Sequence, residues 1–273
     1  MEILFFKITL ALYFGGTFLF LAHLANKNSK LSGLSMGVTA LGFAFHTAAL
    51  VARIIGDRQV PLTNFYEAMA FFSWALVLVF LLVEFRYRIM VLGSFILPLA
   101  FLSLISVAAL PKQMHSLNPM IQNVWVFIHV SLTMLGLVAF TMAFIAGVLY
   151  LIQERLLKSR RFNPMSSELP SLDLLDGFNQ KAVILGFPLL TLGMIIGAML
   201  SDNIWEAYFS LQPVESLTLV TWLFYFAMLH GRLTVGWRAK KAAYLAVVGF
   251  VVVVLTVGVN FVAKGPHNLF GPR

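Results

Sequence analysis

Long apolar runs separated by short polar segments dominate the chain. A membrane-spanning helix needs about 20 mainly apolar residues, and eight stretches approach or exceed that length. They lie at 3–25, 33–55, 64–84, 89–110, 122–153, 182–201, 217–235 and 242–263. The pattern predicts an all-α, polytopic integral membrane protein of about eight transmembrane helices, built as a single membrane domain over residues 1–273.

Two segments between the apolar runs differ from ordinary short connections. Residues 155–181 are rich in charge, Ser and Pro, a composition typical of a linker. Residues 202–216 carry Trp205 and Tyr208 beside acidic residues, and Pro213 prevents a continuous helix through them. We therefore expect an inner linker at 155–181 and an outer, tryptophan-containing loop at 202–216.

Composition and charge support a membrane protein and fix its expected orientation. Of the 273 residues, 60% are hydrophobic and 11% are charged, and a soluble domain could not bury that much apolar surface. The net charge is +8, but most Lys and Arg residues fall on the side of the linker 155–181. By the positive-inside rule this side is cytoplasmic and both termini are outside. The basic residues are thus topology signals, and we expect no nucleic-acid partner.

Several kinds of chemistry are excluded by missing residues or motifs. The chain has no cysteine, so it can form neither a disulfide nor a covalent haem attachment of its own. The sequence has no Walker A motif, nucleophile elbow, zinc-protease motif or dinucleotide fingerprint. Any cofactor would be held non-covalently, and no residue is assigned a catalytic role.

Histidines at membrane depth are the main candidate functional residues. His129 lies about 10 Å inside the fifth run at 1.5 Å per residue, with Trp125 and Thr133 on the same helix face. His267 follows the last run on the same outer side. Imidazole is a common axial ligand of haem iron, and aromatic rings beside it suit a large, flat ligand. Haem is therefore the first candidate ligand.

Two further histidines have informative neighbours. His230 ends the seventh run, with Trp222 and Phe226 on the same face. His46 lies near the middle of the second run, with Arg53 seven residues further on. Ionisable residues inside a membrane are costly and usually functional, although a histidine can also serve there as a hydrogen-bond partner of a neighbouring helix.

Other polar and small residues favour a structural interpretation. Glu67 lies in the first turn predicted for the third helix, where it complements the helix dipole and suits Arg53 or Arg58 as an ion-pair partner. Gly186, Gly193 and Gly197 lie near one face of the sixth run, and the last two form a G-x-x-x-G pair. That spacing predicts close packing against another helix.

Four stretches together resemble a known family. They are H-T-A-A-L-V-A-R (46–53) with P-L-T-N-F-Y-E-A-M-A-F-F-S-W (61–74), W-V-F-I-H-V-S (125–131), G-F-P-L-L-T-L-G-M-I-I-G-A (186–198) running into the tryptophan-containing loop, and L-H-G-R-L-T-V-G-W-R-A-K-K-A-A (229–243) followed by G-V-N-F and G-P-H. In this order and spacing, they resemble the CcsA/ResC family of cytochrome c biogenesis proteins and the related HemX-type proteins. The likeness covers nearly all of the chain.

The resemblance implies a haem-handling protein of the bacterial cytoplasmic membrane. It implies that the outer loop presents haem b, bound non-covalently, for attachment to apocytochrome c with a CcsB/ResB-type membrane partner. It further implies that His129 and His267 are the axial ligands of the haem iron and that His230 helps to move haem outward. The candidate cofactor-binding residues are therefore His129, His267, His230, Trp205, Tyr208, Trp222, Trp125 and His46.

The loop departs from the pattern W-G-x-Y-W-x-W-D-P-x-E of that family. Trp205, Tyr208, Pro213 and Glu215 match it, whereas Phe209, Leu211 and Gln212 replace two tryptophans and the aspartate. This departure supports a second hypothesis, a HemX-type non-catalytic regulator or scaffold of haem biosynthesis whose inner linker contacts a cytoplasmic enzyme. A general transporter is a third. If the chain has an enzymatic role, it is at most as part of a haem-attachment complex.

Overall fold

The computed structural model describes residues 2–26, 28–57, 62, 65–108, 124–159, 169–205 and 213–262. This part of the chain holds eight α-helices, with a short 3₁₀ helix at Met90–Leu92. The α-helices are α1 (Glu2–Asn26), α2 (Ser29–Asp57), α3 (Phe65–Tyr87), α4 (Gly93–Ala108), α5 (Val124–Lys158), α6 (Leu172–Trp205), α7 (Pro213–Leu233) and α8 (Ala239–Val262). The predicted all-α, polytopic fold class is confirmed.

Six of these helices contain a segment long and apolar enough to cross a membrane, namely α1, α2, α3, α5, α6 and α8. Helix α4 is apolar but shorter, and it contains Pro98. Helix α7 has 21 residues and carries Glu215 in its first turn and His230 and Arg232 in its last. The chain is therefore a multi-span membrane protein whose apolar helices differ in length.

Helices extend into both segments that the sequence analysis assigned to connections. Helix α5 continues to Lys158 and α6 begins at Leu172, so both ends of the expected linker 155–181 are helical. The Ser171 hydroxyl accepts a hydrogen bond from the Leu174 amide at the start of α6, which stabilises the earlier helix start. The expected loop 202–216 is shortened likewise, because α6 continues to Trp205 and α7 begins at Pro213.

The helices group into two compact units, and the expected single domain stays a prediction. Unit one comprises Met1–Asn118 and Leu156–Pro170. In it α1 packs on α2 and α4, and α3 packs on α4. At one end Arg53 of α2 donates hydrogen bonds to Glu67 of α3 at 2.8 Å and to Glu2 of α1 at 2.9 Å. The predicted pairing of Glu67 with Arg53 is thus confirmed, and Glu2 is an additional partner.

Unit two comprises Pro119–Arg155 and Ser171–Arg273, with most of α5 and all of α6, α7 and α8. Small residues bring its helices close together. A Cβ added at Gly186 would lie 2.7 Å from the Phe140 ring, and one at Gly147 would lie 2.9 Å from the Ala243 carbonyl oxygen. The predicted close packing at the glycine face of α6 is confirmed, and its neighbour is α5.

Candidate functional site

His129 of α5 is seated against the glycine face of α6. Its Nδ1 lies 2.7 Å from the carbonyl oxygen of Gly193, and a Cβ added at Gly197 would lie 2.6 Å from its Cε1. A carbonyl oxygen only accepts hydrogen bonds, so Nδ1 is the protonated nitrogen and the lone pair is on Nε2. The G-x-x-x-G pair therefore supplies both the space for the ring and the carbonyl that selects its tautomer.

The other residues expected around His129 are described only in part. Trp125, one turn earlier on α5, has 53% of its surface exposed. Trp205 is the last residue of α6, but its side chain lies outside the described part of the structure, as do Tyr208 and His267. The expected meeting of His129 and His267 remains a prediction.

Three aromatic side chains form a continuous column on α7. The rings of Trp222 and Phe226 are stacked at 5.5 Å, and those of Phe226 and His230 at 6.0 Å. Trp222 Nε1 donates a hydrogen bond to Thr191 of α6 at 2.9 Å. Phe226 is 46% exposed, and His230 is exposed as well. The column, defined here as Trp222, Phe226 and His230, is a row of nearly parallel rings that ends in an imidazole.

His46 lies in unit one and is almost fully enclosed, with 1% of its surface exposed. Its Nδ1 is 3.2 Å from the hydroxyl of Tyr13 on α1, and its Nε2 has no hydrogen-bond partner within the described residues. Arg53 is engaged with the carboxylates of Glu2 and Glu67. The structure thus shows the hydrogen bond to a neighbouring helix that was the alternative interpretation of His46, and its role toward a cofactor remains a prediction.

The partners of these histidines were not predicted from the sequence. Gly193 contacts His129 across 64 positions and Tyr13 contacts His46 across 33. An ion pair between Arg232, which is buried, and Asp176 of α6 was not predicted either. The one available signal was the charge of Arg232 within the seventh apolar run, because Asp176 lies six residues before the sixth run, in the expected linker.

These features define a polytopic helical membrane protein with imidazoles placed beside aromatic rings. The model of the family described as cytochrome c assembly protein matches residues 62–267. The chain therefore belongs to the cytochrome c assembly protein family, and the resemblance noted in the sequence is confirmed. Family membership assigns it to the biogenesis of c-type cytochromes.

Individual relatives agree over most of the chain. The cytochrome c biogenesis protein CcsA of Guillardia theta is 32% identical over 255 residues, which cover 86% of this chain and 85% of that protein. CcsA of Prochlorococcus marinus is 33% identical over 256 residues, with 85% and 82% covered. CcsA of Chlamydomonas reinhardtii is 31% identical over 250 residues, with 89% and 69% covered.

A solved structure shares the fold. The cytochrome c heme lyase CcmF matches with a TM-score of 0.69 at 16% sequence identity. The match covers 98% of this chain and 48% of that chain, so this protein spans about half the length of CcmF. At this identity the likeness concerns the arrangement of helices alone.

Proposed function

We propose that the chain binds haem b non-covalently and holds it at the extracytoplasmic face for attachment to apocytochrome c. A CcsB/ResB-type membrane partner completes the attachment complex in this proposal. The membrane is the bacterial cytoplasmic membrane, and both termini are extracytoplasmic. The chain contains no cysteine, so the sulfur atoms of the thioether bonds come from apocytochrome c, and this chain contributes binding and orientation.

The observation that carries this proposal is the hydrogen bond from His129 Nδ1 to the Gly193 carbonyl oxygen. A histidine that binds a metal almost always donates its other ring N–H to a carbonyl or carboxylate, which fixes both tautomer and ring orientation. His129 has this arrangement, so its Nε2 is the atom assigned to iron. Haem iron accepts imidazole as an axial ligand.

The second axial ligand in the proposal is His267. Helix α8 supports this assignment because of the direction in which it runs. It begins at Ala239, which bonds to Asp176 near the start of α6, and its second half lies beside the first half of α7, where the Thr256 and Thr221 hydroxyls are 2.9 Å apart. The end of α8 therefore points to the end of unit two that holds His129. Trp125, Trp205 and Tyr208 would supply aromatic contacts there.

The column on α7 supports a further part of the proposal, in which His230 receives haem before it reaches the outer position. Aromatic faces pack favourably on a planar ring system, and the column ends in an exposed imidazole. His230 follows Trp222 by about 12 Å along the helix at 1.5 Å per residue. In this proposal His230 is the inner of the two haem positions and lies close to the cytoplasmic surface.

The visible absorption spectrum of the purified protein tests the outer site. We expect a Soret band in the wild type, and weaker haem retention or a shifted spectrum in His129→Ala and in His267→Ala, because six-coordinate iron loses one nitrogen donor. Added imidazole should partly restore either variant by filling the vacated position. His115, in the segment P-K-Q-M-H-S between the fourth and fifth apolar runs, is assigned no role, so His115→Ala is the control and should retain the wild-type spectrum. A wild-type spectrum in the double variant His129→Ala/His267→Ala would refute the outer site.

The HemX-type regulator of haem biosynthesis is retained as a second candidate because of the loop sequence. Phe209 and Leu211 replace tryptophans of the family pattern, and Gln212 replaces its aspartate, which reduces the indole surface available to haem. If the wild-type protein never carries haem in cells that make ample haem, this second function replaces the first.

A further inference from the structure

A cluster of polar groups, of which Arg232 and Asn179 are buried, lies at the end of unit two opposite His129. Arg232 of α7 has 1% of its side chain exposed and forms an ion pair with Asp176 of α6. Its Nη1 also donates to Asn179 Oδ1 at 3.4 Å, and Asp176 Oδ1 accepts a hydrogen bond from the Ala239 amide at 3.1 Å. We call these four residues, Arg232, Asp176, Asn179 and Ala239, the Arg232 clamp. It ties together the ends of α6, α7 and α8.

The clamp also reaches the fourth helix of the unit. Asn179 Nδ2 donates to the Ala143 carbonyl oxygen of α5 at 2.7 Å. Asn179 therefore bonds Arg232 through its oxygen and α5 through its nitrogen, which leaves its amide group little freedom to rotate. Four helices of unit two thus share one network, and its guanidinium belongs to a residue of the helix that bears His230.

The position of Arg232 relative to His230 decides what this network can do. The two residues are two apart on an α-helix, which is about 200° of rotation at 3.6 residues per turn. Arg232 is buried and His230 is exposed. The clamp therefore holds one face of the last turn of α7 against α6, and the opposite face turns His230 outward beneath Phe226.

The chain directly after His230 is held as well. Gly236 adopts a positive φ of 76°, a conformation that glycine adopts without strain. The turn lets the Trp237 amide donate to the Gly231 carbonyl oxygen at 3.0 Å, and the Trp237 ring occupies the space next to Gly231 where a side chain would otherwise lie. Lys241 Nζ lies over that ring, 3.9 Å from its centroid. The last turn of α7 is thus constrained from both directions.

We propose that the Arg232–Asp176 pair is a positioning device that sets the orientation of His230 toward haem; this rests on the proposed role of His230 in receiving haem. A buried ion pair is weak support for stability, because desolvation offsets its attraction, but it can specify one geometry. The planar guanidinium bonds to its partners from two nitrogens, which fixes its direction in a way that a lysine could not. The pair thereby fixes the rotation of α7 about its own axis. That rotation determines the direction in which His230 points.

Chemical labelling of His230 tests the clamp without relying on haem. The haem-free full-length protein in detergent is treated with diethyl pyrocarbonate, and the rate of modification at His230 is followed by mass spectrometry. We expect Asp176→Asn to raise this rate several-fold, because the stacking of His230 on Phe226 loosens once α7 is released. Asp176→Glu keeps the carboxylate and should give a rate between those of Asp176→Asn and the wild type.

Glu67→Gln is the matched control. It removes the carboxylate of another ion pair and so lowers stability, but that pair belongs to unit one, whereas α7 belongs to unit two. Equal labelling changes in Asp176→Asn and Glu67→Gln, or no change in Asp176→Asn, would overturn the proposal. If Asp176→Asn does not fold, Arg232→Lys takes its place, since it keeps the charge and loses the planar group; the same outcomes apply.

Haem titration of the same variants separates this proposal from the one on which it rests. If haem binds at His230, Asp176→Asn should weaken binding in parallel with faster labelling, and Asp176→Glu should recover part of it. If labelling responds as expected but His230→Ala leaves haem loading unchanged, the clamp positions His230 and the haem-receiving role of His230 is wrong.

Discussion

The helix face on which an individual side chain lies could be predicted from the sequence, because helix periodicity determines it. Spacing along the chain places Trp222, Phe226 and His230 on one face, and the structure shows that they stack. Periodicity does not say which neighbouring helix that face meets. His129 bonds a backbone carbonyl, a group that every residue has. The G-x-x-x-G spacing therefore predicted close packing at Gly193, but it could not identify Gly193 as the residue that accepts this hydrogen bond.

Gly197 provides a test of the contact between His129 and the glycine face of α6, because alanine at this position adds one methyl group. Gly197→Ala would place a Cβ 2.6 Å from His129 Cε1, so the imidazole must move away from its bond to Gly193. We expect weaker haem retention and a shifted Soret band in the purified variant. Haem retention equal to that of the wild type would show that this contact does not orient His129 for haem.

The control for this prediction lies on the same helix. A Cβ added at Gly177 meets no atom within 4 Å, so Gly177→Ala changes α6 by the same chemical group without a steric conflict. Its spectrum should match that of the wild type. A loss of haem in both variants would indicate a general effect of alanine on α6.

Whole helices were predicted better than their ends. Hydropathy marks the portion of a helix that lies in lipid, and α6 extends beyond that portion because residues such as Leu175 and Asn179 pack against other helices there. It begins at Leu172, whereas the apolar run begins at 182. Helix α7 likewise begins at Pro213, a residue that suits the first position of a helix because it needs no amide hydrogen bond.

The packing of the ends of α1, α2 and α3 against one another should depend on the carboxylate of Glu67. Arg53 bonds Glu67 through two nitrogens at 2.8 Å, and the Glu67 side chain is 9% exposed. Glu67→Gln should therefore destabilise the protein by about 2 kcal/mol, in the range for hydrogen bonds to charged groups, as measured by a lower melting temperature or purification yield.

Glu2→Gln is a graded comparison for that variant. Glu2 pairs with the same guanidinium, but its side chain is 27% exposed, so water compensates for part of the loss and the effect should be smaller. An unchanged melting temperature in Glu67→Gln together with lost haem would show that Glu67 acts in function rather than in structure.

At the scale of the whole molecule, the eight apolar runs predicted the eight α-helices of the described residues but not the grouping of those helices. Hydropathy shows which segments enter lipid and contains no term for which helices pack together. The structure has two compact units, and the packing inside unit two depends on close contacts such as those of Gly147 with Ala243 and of Gly186 with Phe140. The tryptophan-containing loop could be predicted as a candidate site because its composition is unusual.

Orientation in the membrane can be tested on the whole chain. A reporter enzyme that works only outside the cytoplasm should be inactive when it is inserted after Ser159 and active when it is fused to the C-terminus, because the basic residues concentrate on the side of Ser159. The reverse pattern would invert the proposed topology and place His129 on the cytoplasmic side.

Helix α6 contacts the clamp at Asp176 and seats His129 at Gly193, and this has a kinetic consequence. The two positions are 17 residues apart, or about 25 Å along the axis at 1.5 Å per residue. Asp176 holds the end of α7 that bears His230, and Gly193 holds His129. Helix α6 therefore keeps the two histidines far apart, and they cannot bind one iron atom together. Under the proposed function, His230 and His129 would therefore hold haem one after the other and not together. The time that haem needs to pass from one histidine to the other would then set a lower limit on the time needed to load the protein again.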